Sequence, residues 1–187
     1  MASSTASSPL LRLPRELRYD IYDALCRQEP KSYPFRQPPI TSIDQRAPPT
    51  ALRLACRFIG EEIQTFFYSK VTLRFVVQGY QHPKREDIDP VSLTAIRQAK
   101  KVELRLTWHI TPERAELDIS KWPYSMHVWL AEQVDLLLDE ARNLELITLS
   151  LVDTSEGVEW ATKSRGLTPL YKIAGRARFR VGEVAAV

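Results

Sequence analysis

Apolar residues recur at three- and four-residue spacing through LLRLPRELRYDIYDAL (10–25), which predicts an amphipathic helix. Leu13, Leu17, Ile21, Ala24 and Leu25 share one face, with Arg15, Tyr19, Tyr22 and Asp23 opposite. Pro14 suits the first helical position, Glu16 meets the positive end of the helix dipole, and Pro30 forbids long continuation. A second helical period starts at Thr50, an apt N-cap, and runs through TALRLACRFIGEEIQTFFYS. Leu52, Ala55, Cys56, Ile59, Ile63, Phe66 and Phe67 follow it, and Gly60 predicts a break or a close packing contact near its middle. Between the two helices, residues 26–50 carry Pro30, Pro34, Pro38, Pro39, Pro48 and Pro49. These suppress helix and interrupt a strand ladder, so the segment reads as an extended linker that Tyr33, Phe35, Ile40 and Ile43 could pin to a surface.

From Val71 the pattern alternates between the two periods. VTLRFVV (71–77) and KVELRLTW (101–108) read as strands, and so does the apolar run ending ARNLELITLSLV (141–152). Helical stretches over 91–99 and 125–141 separate them, and a weaker helix at 170–174 precedes a strand at 176–181. AKKVEL from Ala99 and ARNLEL from Ala141 echo each other as helix-to-strand junctions about 42 residues apart. Repeated helix–strand units imply parallel strands crossed by helices. The fold expected is therefore mixed α/β: a helical module over residues 10–70, then a small, mainly parallel sheet over 71–187, packed as one unit. Its architecture is loosely like leucine-rich repeats, although the asparagine ladder of true repeats is missing.

The residues Leu13 to Leu25 fit Leu-Pro-x-Glu-Leu-x-x-x-Ile-x-x-x-Leu, which resembles the first helix of an F-box. With Arg18 and Ile21-Tyr22 the stretch is similar to the "LPxELRxxIY" start of a fungal group of F-box-like proteins. LRLACRFIGEEIQTFFYSKVTLRF resembles that group's second block, in which Leu-x-x-Cys-Arg-x-Ile-x-x-Glu precedes Phe-Tyr and a strand. The chain departs from an ordinary F-box in placing about twenty residues between the two helices. The resemblance implies docking on the Skp-family adaptor of a cullin–RING ubiquitin ligase, with the α/β region presenting a substrate protein. The adaptor surface it implies is Leu13, Pro14, Leu17, Ile21 and Leu25, extended by Leu54, Cys56 and Phe58. The alternative is that this face packs inward, leaving an F-box-derived interaction domain that binds no adaptor.

Composition narrows the remaining classes. The net charge of +3 is spread as about +3 over 1–70, −3 over 71–155 and +3 over 156–187, too weak to argue for nucleic acid. No apolar run approaches membrane-spanning length. MASSTASSP lacks a basic and an apolar region, so residues 1–9 read as a disordered lead-in to a cytoplasmic or nuclear protein. Cys26 and Cys56 read as free thiols at helical faces. His82, His109 and His127 lack partners at metal-ligand spacing, and no glycine-rich phosphate loop or nucleophile motif appears, so neither enzyme, cofactor nor metal is expected. Asp135, Asp139 and Glu140 read as a solvated helix face. Arg176, Arg178 and Arg180 alternate, which on one strand face could bind an acidic partner or nucleic acid, or could protect a sheet edge. Trp122 and Tyr124, beside Pro123, are a candidate recognition patch.

Overall fold

A computed structural model describes residues 9–27, 39–77, 85–109, 126–155 and 158–186. After a 3₁₀ turn at Pro9–Arg12, helix α1 spans Arg15–Cys26, and strand β1 (Ile40–Ile43) follows. Helices α2 (Thr50–Arg53) and α3 (Arg57–Lys70) lead into β2 (Thr72–Val76). Helix α4 (Pro90–Gln98), β3 (Lys101–Trp108), α5 (Met126–Glu140) and β4 (Leu146–Asp153) continue the chain. A short α6 (Trp160–Arg165), a 3₁₀ helix (Thr168–Ile173) and β5 (Arg178–Ala186) complete it.

The protein is mixed α/β, with a five-stranded sheet ordered β1-β2-β3-β4-β5. Strands β2 to β5 run parallel, and β1 joins β2 antiparallel at one edge. That edge strand comes from the proline-rich segment expected to be a linker. Ile40 and Ile43 are fully buried, so the residues expected to pin the segment instead pair it into the sheet. Asp44 accepts a hydrogen bond from the Thr72 amide at 2.7 Å, and the Arg46 amide donates to the Cys26 carbonyl at 3.0 Å, tying β1 to both β2 and α1. Tyr33 and Phe35 lie outside the described residues.

Strand alternation sorts the sheet into two faces. Leu73, Phe75, Val102, Leu104, Leu106, Trp108 and Ile147 are buried on one, against Ala95 and Ile96 of α4 and Leu130, Val134 and Leu137 of α5. The opposite face carries Arg74, Glu103, Thr148 and Arg180 in register across four strands. The register pairs Val102 with Ile147, three positions beyond the Leu144 that the sequence echo aligns with it (147 − 144). Asp89 caps α4, its Oδ1 accepting from the Val91 and Ser92 amides at 2.9 Å, while Pro90 opens the helix.

Several local expectations shift. The predicted helix from Thr50 breaks at Leu54–Cys56 and not at Gly60. Gly60 serves the close contact instead: a Cβ there would lie 2.5 Å from the Arg53 carbonyl oxygen. Pro49 and Pro14 occupy the N-cap positions of α2 and α1, so Thr50 and Arg15 are the first helical residues. Glu140, expected on a solvated face, is buried and accepts from Arg97 Nε at 2.7 Å, joining α5 to α4. Helix α6 was not foreseen; its Lys163 is buried against Asp153 at 2.6 Å.

Candidate functional site

Helix α1 meets the body of the protein through its polar side. Arg18, Tyr22 and Cys26 are its buried residues, so the alternative in which the face of Leu13, Leu17, Ile21, Ala24 and Leu25 packs inward is not the arrangement found. The cause is Glu62 on α3. Its carboxylate receives Arg18 Nη2 at 2.6 Å and Nε at 2.7 Å, a bidentate pair, and the Tyr22 hydroxyl at 2.9 Å. Arg18 Nη1 turns back to the Leu13 carbonyl at 2.6 Å, fixing the turn before α1. Around this pair Tyr22, Ile63 and Phe66 form a small apolar cluster, with Tyr19 against Phe66 at 4.9 Å between ring centroids. A charged pair largely withdrawn from water must satisfy each of its polar atoms, and here Leu13 and Tyr22 supply the partners that the pair itself does not.

The electrostatics follow. Hydrogen bonds from Arg18 hold the Glu62 carboxylate below its ordinary range despite burial, and those same bonds raise the Arg18 guanidinium. Burial, then the hydrogen bond to Glu62, pushes the Tyr22 hydroxyl up to about 12. Burial likewise lifts the Cys26 thiol to about 11. All four groups keep one charge state near neutrality, so the joint between α1 and α3 is fixed there.

With the polar side inward, the leucines face out. Leu17 is 49% exposed, and Ile21 and Leu25 are also exposed along the same flank; Pro14 is exposed and Leu13 half-buried. In the second block, Leu54 is 78% exposed, and Cys56 and Phe58 are exposed too. Phe58 stacks over the Arg18 guanidinium, 5.5 Å from charge to ring centroid, on the flank of α1 that carries Arg15 and Tyr19. A shallow groove of about 390 Å³ lies there, lined by Arg15, Arg18, Tyr19, Phe58, Glu61, Glu62 and Thr65. The implied residues therefore form two apolar areas on either flank of Arg18: Leu17, Ile21 and Leu25 on one, Phe58 on the other.

The remaining candidates separate. Arg176 lies before β5 and hydrogen-bonds the Leu138 carbonyl, away from the other two arginines. Arg178 and Arg180 stand on the sheet face that carries Arg74, Glu103 and Arg105. Glu103 is buried there and accepts from Arg74 Nε at 2.8 Å, Arg105 Nε at 2.8 Å and Ser150 Oγ at 2.7 Å. Burial alone would raise its carboxyl, but these hydrogen bonds outweigh it and hold it low. Trp122 and Tyr124 lie outside the described residues. A second cleft, about 320 Å³, lies between α2, α3 and α4 and is lined by Pro48, Arg53, Gln64, Phe67, Tyr68 and Val91 among others.

Among the described residues, no group of three or more His, Cys, Asp or Glu side chains could hold a metal ion, and no helix is long and apolar enough to cross a membrane. No protein-family model, curated protein or solved structure matches the chain. Sequence reasoning missed the Arg18–Tyr22–Glu62 joint. Its signal was the four-residue spacing of Arg18 and Tyr22, which puts two hydrogen-bond donors on one face.

Proposed function

We propose that this chain is an F-box-like protein-interaction module that docks on the Skp-family adaptor of a cullin–RING ubiquitin ligase and presents a substrate from its α/β region. The observation that carries this reading is the outward flank of α1. Leu17, Ile21 and Leu25 are exposed because Arg18, Tyr22 and Cys26 occupy the inward positions. Fully burying each large aliphatic side chain is worth about 1.5–3 kcal/mol, and the isolated chain forgoes a large part of that. An exposed aliphatic row on a helix held rigidly by its other side suits helix-into-groove recognition. The reading also assigns to the adaptor Pro14, which caps α1, and the exposed Leu54, Cys56 and Phe58, with Phe58 on the other flank of Arg18. The role is binding and positioning, with no covalent step.

The test is co-purification of the full chain with a Skp-family adaptor, against Leu17→Asp/Ile21→Asp, with circular dichroism and melting of both proteins. Binding by wild type, lost in a folded variant, supports the reading. Absence of binding by a folded wild type rejects it and leaves an F-box-derived interaction domain without a ligase adaptor.

A further inference from the structure

The two edges of the sheet are built differently. At one edge β1 has four residues and a register shift against β2. At the other, β5 runs for nine residues, pairs with β4 on one side, and contains no proline. A short edge strand offers little to pair with, whereas a long one leaves a row of backbone groups along its outer side.

The side chains of β5 alternate by kind as well as by face. Phe179, Val181 and Val184 are in register with Ile147, Leu149 and Leu151 and so point to the helix side. All three are exposed there, Val181 at 74% and Val184 at 62%. Arg178 and Arg180 point to the polar side, and Glu183 joins them, with its carboxylate 4.0 Å from Arg105. Between Val181 and Glu183 the register slips by one residue, and Gly182 takes up the slip. A Cβ at Gly182 would lie 2.3 Å from Ser150 Oγ, so the bulge is built around a glycine.

That bulge makes the strand complementary to its own reverse. On either side of Val181–Gly182, Arg180 and Glu183 occupy the polar face, and Phe179 and Val184 the apolar face. We propose that two copies of this chain pair antiparallel through β5, about a two-fold axis at Val181–Gly182. Arg180 then lies opposite the partner's Glu183, Phe179 opposite the partner's Val184, and Arg178 opposite the partner's Ala185. Two symmetric ion pairs form on one face and one apolar seam on the other. Sliding the strands so that Arg178 faces the partner's Arg180 opposes like charges, and only the register centred on Val181–Gly182 sets Arg180 against the partner's Glu183. The paired sheets become one ten-stranded sheet, with a β1 strand at each outer edge.

Light scattering coupled to size-exclusion chromatography, over a concentration series of the full chain, tests this. Wild type is expected to approach twice the chain mass. Arg180→Glu is expected to weaken the dimer about tenfold, because it sets two carboxylates against each other at both ends. Arg180→Glu/Glu183→Arg is expected to restore it, since the pairing is regained with its signs exchanged. Val184→Lys should also yield monomer, and the exposed 180/183 pair decides the matter if that variant melts early. Monomer at every concentration would overturn the proposal and leave Arg178 and Arg180 as charges guarding an edge. So would a dimer indifferent to Arg180→Glu, or one lost on Leu17→Asp/Ile21→Asp instead.

Discussion

Arg18 and Glu62, 44 positions apart, form a bidentate pair between α1 and α3, and this pair decides which residues of α1 the protein shows to solvent. The neighbour of Arg18, Leu17, is turned outward by the same rotation that brings the guanidinium in. A buried ion pair is weak evidence for stability, because desolvation offsets most of the attraction. It is strong evidence for orientation, because rotating α1 would strand Glu62 without its donors.

The first prediction contrasts the two sides of α1. Leu17→Asp/Ile21→Asp removes half-exposed aliphatics and should lower the unfolding free energy by about 1–2 kcal/mol. Tyr22→Ala empties a fully buried site and should cost about 3–5 kcal/mol. Urea unfolding of both variants measures the difference, and a larger loss in the double aspartate variant would mean that the leucine side faces inward.

Removing only the hydroxyl of Tyr22 tests the joint more finely. Tyr22→Phe leaves the aromatic cluster in place and takes away one donor to Glu62, at an expected cost of about 1 kcal/mol. Glu62→Ala strands both Arg18 and Tyr22 and should be markedly worse. Hydrogen exchange should then speed up in α1 well before it does in α5.

Acid should loosen the same joint. The folded protein holds Glu62 and Glu103 below their ordinary range, so both carboxylates favour folding when ionised. Their contribution is fully present above about pH 4.5 and is lost as the pH falls from there through the depressed folded values. Melting temperature recorded from neutral pH downward should fall steeply in that range. In Glu62→Gln the neutral-pH melting temperature should start lower and the acid limb should be shallower.

The two thiols should differ. Cys56 is exposed, whereas Cys26 is fully buried and burial has raised its thiol to about 11. Because the thiolate is the reactive form, iodoacetamide should alkylate native protein at Cys56 and reach Cys26 only after denaturation. Peptide mass mapping before and after urea distinguishes the sites.

Glycine at position 60 should resist replacement. A Cβ 2.5 Å from the Arg53 carbonyl oxygen must push α2 away from α3, so Gly60→Ala should destabilise by about 1–3 kcal/mol. Gly175 has a φ of 90° with no atom within 4 Å of a built Cβ, so Gly175→Ala should bear only backbone strain, about 1 kcal/mol. Denaturant midpoints of the two variants rank these costs.

What the sequence determined by itself was whatever depends on local period. The strands at 101–108 and near 71–77, the helices near 91–99 and 125–141, and the mixed α/β class follow from alternation and helical spacing, which neighbouring residues set among themselves. β1 was hidden because it is four residues among prolines, and only the exposed edge of β2 makes a strand of it. The orientation of α1 was hidden for a deeper reason. The helix carries an aliphatic row and a row of Arg18, Tyr22 and Cys26, and apolar spacing alone does not say which of them is buried. Only the tertiary structure brings Glu62 opposite Arg18, where a carboxylate largely withdrawn from water requires its donors. That requirement turns the leucines out, deciding between the exposed and the inward-packed face that the pattern alone left open.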